Sequence, residues 1–168
     1  MLPPMERLIE RLTFPRLGRW RRAAQAAHVR AERAEVPGRV DLVVTNDDGP
    51  GEFRARIVGI TRPDGQALVD ARGDPWPWQL PWGGPTRSTG RLERGETANL
   101  ELVAFGNDGA RGIFGFPPDA RHVLPATTTA GDPLQTTILV KVRIDRLGVA
   151  ARPSITEHRV VFRGPELG

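Results

Sequence analysis

The chain of 168 residues contains no cysteine and no tyrosine, and Lys141 is its single lysine. Without cysteine there is no disulfide framework, no thiolate nucleophile and no cysteine-ligated zinc. Long apolar runs are missing too: none approaches the roughly 18–20 residues that a membrane-spanning helix needs. The start has no basic segment leading into an apolar stretch, so it does not read as a secretory signal. Catalytic signatures are equally scarce. His28, His122 and His158 are too widely spaced to form a metal-ligand motif. No Gly-x-Ser-x-Gly elbow occurs, and no phosphate loop ends in a lysine. These gaps point away from an enzyme, with no catalytic residue, metal site or cofactor expected.

What is present is arginine, glycine and proline. Every basic residue except Lys141 is arginine, a bias of high-GC coding rather than of function. The net charge of +4 is not evenly spread. Residues 1–35 carry eight arginines against four glutamates, and the remainder is balanced. Nineteen glycines and sixteen prolines imply many turns.

The front segment has helical spacing. Pro3-Pro4 suits a helix start. Met5, Leu8, Ile9 and Leu12 recur at three- and four-residue intervals. Pro15 and Gly18 interrupt, and a second helix is predicted over 19–35, with Trp20, Ala24, Ala27, Ala31 and Ala34 as a narrow stripe. This basic extension, residues 1–36, suits docking or self-association, in the manner of a coiled coil. Trp20 with Arg19, Arg21 and Arg22 marks a helix that meets a partner or an anionic membrane surface. Nucleic acid is disfavoured, because no recognition motif accompanies the arginines. Pro37-Gly38 is read as the helix stop and domain boundary.

From there the period changes to two. Val40, Leu42 and Val44 alternate with polar neighbours or Val43. Phe53, Ala55 and Ile57 alternate with Arg54, Arg56 and Val58. Ala98 to Ala104 and Ile138 to Ile144 repeat the pattern, and Ile155 to Phe162 closes it. Successive strand side chains point to opposite faces, so each run offers one apolar face that must be buried. The expectation is a mainly β protein, a sandwich of seven to nine antiparallel strands over residues 37–163, followed by a tail, 164–168. The cluster Asn46-Asp47-Asp48-Gly49-Pro50-Gly51 reads as a turn. Its acids do not complete a calcium loop, because Val44 stands where the first ligand belongs.

Residues 74–85 interleave Trp76, Trp78 and Trp82 with four prolines. Proline cannot donate to a ladder, so this is an edge or a crossing loop. The three tryptophans are candidate binding residues for a protein partner or a sugar ring, and Trp78 or Trp82 can equally plug the sandwich.

Taken with the run from Leu42 to Phe53, the run from Arg91 to Leu100 and the paired late strands, this pattern resembles bacterial immunoglobulin-like sandwiches. A basic, alanine-rich helix ahead of such a sandwich is similar to proteins of high-GC actinobacteria, in which a membrane span often precedes the helix. The resemblance implies an Ig-like antiparallel β-sandwich and carries no catalytic residues. The expected function is a non-catalytic binding or scaffolding module. Its alternatives are a peripheral membrane protein and a carbohydrate-binding sandwich. The expected location is cytoplasmic, membrane-peripheral if the front helix binds lipid.

Overall fold

The computed structural model describes residues 29–68, 77–84, 86–109, 111–117, 122–127 and 136–164. The front-helix candidates Trp20, Arg19, Arg21 and Arg22, and also Trp76, lie outside the described residues. Among the described residues ten strands occur: β1 (Val29–Val36), β2 (Arg39–Asn46), β3 (Gly51–Thr61), β4 (Trp78–Gln79), β5 (Gly90–Leu92), β6 (Thr97–Asp108), β7 (Arg111–Phe116), β8 (His122–Pro125), β9 (Thr137–Leu147) and β10 (Ser154–Val161). Among the described residues there is no helix, and so none long and apolar enough to cross a membrane.

The strands form two antiparallel sheets. Sheet A has the order β1-β2-β6-β7-β8, and sheet B has the order β10-β9-β3-β4, with β5 also paired to β3. The inward residues of both sheets meet in one hydrophobic core. Leu42, Val44, Leu100, Leu102, Phe114 and Phe116 come from sheet A. Phe53, Ala55, Ile57, Val140, Val142 and Ile144 come from sheet B. Burying each large side chain of this kind contributes about 1.5–3 kcal/mol. The period-two expectation is met, in a mainly β fold of sandwich-like character. Two bulges interrupt it: an extra residue, Leu102, opposite Val40 and Asp41, and Val58 opposite the ladder of β9.

Residues 29–36 correct the helix expected over 19–35. They form β1, paired with β2 along its full length from Val29 opposite Asn46 to Val36 opposite Arg39. Pro37-Gly38 is the two-residue turn of that hairpin, not a break between helix and sheet. Gly38 has φ +74°, the left-handed value that glycine takes without strain. The physical reason is that Val29 and Ala31, two apart, share a strand face while Ala31 and Ala34, three apart, share a helix face, so the segment supports both readings. Cross-strand hydrogen bonds and packing on the core then override helix propensity, which is worth only tenths of a kcal/mol per residue.

One end of the sandwich is tied by side chains around the turn 46–51. Asn46, 1% exposed, donates through Nδ2 to the carbonyls of Gly49 at 3.0 Å and Leu92 at 3.1 Å, and its Oδ1 accepts from the Asp48 amide at 3.1 Å. Arg146 closes over the same turn. Its Nη2 donates to the carbonyls of Gly49 and Pro50, both at 2.9 Å, and its guanidinium lies 5.8 Å above the Phe53 ring. The acids of this turn are ion-paired: Asp47 with Arg30 at 2.6 Å and Asp48 with Arg146 at 3.3 Å. The cluster is a buckle between turns.

Candidate functional site: the arginine face of sheet B

Trp78 and Trp82 are each 4% exposed and belong to the core. Trp78 stacks on His122 with ring centroids 4.0 Å apart and planes 5° apart, and it tilts against Phe116 at 5.4 Å. It thereby bridges β4 of one sheet to β8 of the other. Trp82 lies over Gly90, where an added Cβ would sit 2.7 Å from ring Cδ2. Both rings fill the interior and neither presents a platform to a ligand. The described part of the proline-laced segment is held against β3 at Arg56–Gln79 and Ile57–Trp78, and the Leu80 amide donates to the Ala55 carbonyl at 2.9 Å.

The two described histidines lie on different sheets. His122 is on β8 and His158 is on β10. Among the described residues no group of three or more histidines and acids is placed to hold a metal ion. His158 is buried, and its Nε2 lies 2.7 Å from Thr156 Oγ1. Burial pushes its pKa below 6.5, and the charge of Arg33 pushes it the same way. Between that lowered value and 6.5 the unfolded chain binds a proton that the folded chain does not. Stability contributed by neutral His158 is therefore complete above pH 6.5 and declines as pH falls below it. Urea midpoints measured from pH 7.5 to pH 5 are expected to fall with acidification, and His158→Gln is expected to flatten that dependence.

The outer face of sheet B carries a different chemistry. Strand alternation turns Phe53, Ala55 and Ile57 inward and Arg54 and Arg56 outward. On β9 it turns Val140, Val142 and Ile144 inward and Lys141, Arg143 and Asp145 outward. The register then sets Arg54 opposite Asp145, Arg56 opposite Arg143, and Lys141 opposite Gly59 on one side and Glu157 on the other. Arg159 extends the face on β10.

Two arginines directly opposite each other on a sheet repel. Asp145 answers that repulsion. Its Oδ2 accepts from Arg56 Nη2 at 3.0 Å and its Oδ1 accepts from Arg143 Nε at 2.9 Å. Burial alone would raise the Asp145 carboxyl, but the hydrogen bonds from Arg143 and Arg56 outweigh it and hold the group below 3.8. Its stabilising charge is thus present at neutral pH and is lost only in strong acid, as pH falls below 3.8.

The carboxylates of this face, Glu52, Asp145 and Glu157, do not balance its five basic side chains, Arg54, Arg56, Lys141, Arg143 and Arg159. Among the described residues Arg54 and Lys141 have no ion pair, and the Nε atoms of Arg54 and Arg56 are buried without a hydrogen-bond partner. A desolvated guanidinium donor lacking an acceptor is costly in isolation and favours an incoming oxyanion. Ile155 and Val161, 56% and 38% exposed, border this face on β10. The sequence pattern hinted at the face through two short alternations, Arg54-x-Arg56 and Lys141-x-Arg143. Only the β3–β9 register joins them.

No family model, no curated protein and no solved structure matches this chain.

Proposed function

We propose that this chain is a non-catalytic binding module, and that its contact surface is the arginine face of β3 and β9. The observation that carries this reading is the gathering of Arg54, Arg56 and Arg143 around the carboxylate of Asp145, with Lys141 beside them on the same face. The fitting partner is a protein surface rich in carboxylates. Arginine forks pair bidentately with carboxylates, and clustered positive charge steers an acidic partner onto the face. A second reading, an anionic lipid surface, draws on Ile155 and Val161, whose exposed aliphatic side chains border the same charges. Nothing comparable supports a sugar site, since Trp78 and Trp82 are interior.

The finer description we propose for the architecture is immunoglobulin-like. The orders β1-β2-β6 and β10-β9-β3 correspond to the strand sets A-B-E and G-F-C of that fold. The hairpin β7–β8 departs from it, because it follows β6 where strand D would precede E.

The test is titration of the full chain with poly-L-glutamate and, separately, with phosphatidylserine vesicles at low salt. Poly-L-glutamate is expected to bind and to be released by salt. Arg54→Gln with Lys141→Gln breaks no ion pair and is expected to weaken binding by roughly tenfold, on about 0.2–1 kcal/mol per exposed charge contact. Binding to vesicles alone supports the lipid reading. Binding to neither, or binding indifferent to the double substitution, refutes the arginine face.

A further inference from the structure

Among the described residues strand β10 ends sheet B, and its outer edge is a template for another strand. The backbone shows which residues face that edge. The Phe162 amide donates inward to the Thr136 carbonyl of the neighbouring segment, so the even-numbered residues of β10 direct their amides and carbonyls at β9. The odd-numbered residues, Ile155, Glu157, Arg159 and Val161, direct theirs outward. Consistent with this, the Arg159 carbonyl accepts from Arg33 of β1, across the gap between the sheets. No proline or bulge interrupts the eight residues of the strand.

The side chains of this edge are self-complementary. In an antiparallel pair with a second copy centred on His158, Glu157 stands opposite Arg159 and Ile155 stands opposite Val161, each twice by symmetry. Moving the register by one hydrogen-bonded step in either direction sets Glu157 against Glu157 or Arg159 against Arg159. Only the centred register pairs opposite charges with each other and aliphatic side chains with each other. Ile155 and Val161 are also two of the three large apolar side chains exposed among the described residues. We propose that β10 is the contact of a two-fold symmetric dimer of this chain, in which the two copies of sheet B join edge to edge. A two-fold axis demands such self-matching, because each residue i meeting j requires j to meet i. The Arg33 guanidinium holds one edge carbonyl in the single chain, and the amide of the partner's Glu157 replaces it in the dimer. Joining the sheets also makes their arginine faces one continuous surface.

The experiment is sedimentation velocity on the full chain across a wide concentration range, with charge-reversal variants at exposed positions. Wild type is expected to dimerise reversibly. Glu157→Arg and Arg159→Glu each set like charges opposite each other at two symmetric points, and each is expected to raise the dissociation constant about tenfold or more. The double swap E157R/R159E restores the pairing and the dimer. An equimolar mixture of the two single variants is expected to form heterodimers, detected by native mass spectrometry. A wild-type chain that stays monomeric overturns the proposal. So does a dimer that persists in both single variants, since it uses some other surface.

Discussion

Trp82→Ala is expected to lower the unfolding free energy by about 3–5 kcal/mol, the cost of emptying a buried aromatic site. Gly90→Ala is expected to cost about 1–3 kcal/mol from the opposite cause, overpacking. Its Cβ would drive into the indole, and the ring cannot retreat, because the Trp82 amide is fixed to the Arg87 carbonyl at 2.9 Å. Gly90 also sits in the ladder opposite Phe53, so the strand cannot shift without moving that core ring. The two changes should not add. In a chain already carrying Trp82→Ala the new methyl enters vacated space, and Gly90→Ala should then cost little or even stabilise. Trp82→Phe separates ring from donor. Trp82 Nε1 is buried without a hydrogen-bond partner, so phenylalanine sheds an unsatisfied group and should cost far less than alanine. Urea denaturation of the four variants and the wild type measures all of these terms. Equal losses for Phe and Ala at position 82 would show that the ring contributes nothing by its bulk.

Asn46→Ala is the second change with a large expected effect, about 2–3 kcal/mol, on the reasoning that a buried polar group left unsatisfied costs about 1–3 kcal/mol. The amide serves the Gly49 and Leu92 carbonyls at once, and removing it strands the buried Leu92 acceptor. Asn46→Asp should be at least as harmful. It has nearly the same shape, but it turns two donors into acceptors facing carbonyls. Thermal unfolding monitored by circular dichroism distinguishes this account from a packing defect, since a pure packing defect would spare the aspartate. The backbone of Asn46 also bonds both ways to the Gly95–Glu96 turn, at 2.6 Å and 3.0 Å, so the damage should spread into β5 and β6.

The long strands were legible because each carries its own evidence. Val40 to Val44, Phe53 to Ile57 and Ile138 to Ile144 alternate over enough residues to exclude a helix. β1 was not legible, because Val29 and Ala31 keep the strand spacing while Ala31 and Ala34 keep the helical one, and only the pairing with β2 decides between them. Strands of two, three and four residues, such as β4, β5 and β8, are shorter than any pattern that could announce them. The tryptophans illustrate a different limit. Proline spacing argues against a central strand, and the described residues 77–84 hold only the two-residue edge strand β4; whether a ring turns inward depends on what opposes it. For Trp78 that is His122, remote in sequence, and for Trp82 it is Gly90, nearby in sequence but brought under the ring only by the pairing of β5 with β3. The arginine face was hidden for the same reason. No window of sequence contains both Arg56 and Arg143, and their adjacency is a property of register alone.

The sheet pairings also order events during synthesis. Sheet A is complete once the ribosome has passed Pro125. Sheet B is not, because Ile57 must wait for Val142, about 85 residues later and so roughly 4–17 s at about 5–20 residues per second. Throughout that delay the edge of β3 that β9 will pair stays open, with its backbone amides and carbonyls unmatched on that side. Chaperone engagement, or aggregation when it fails, should therefore concentrate on β3.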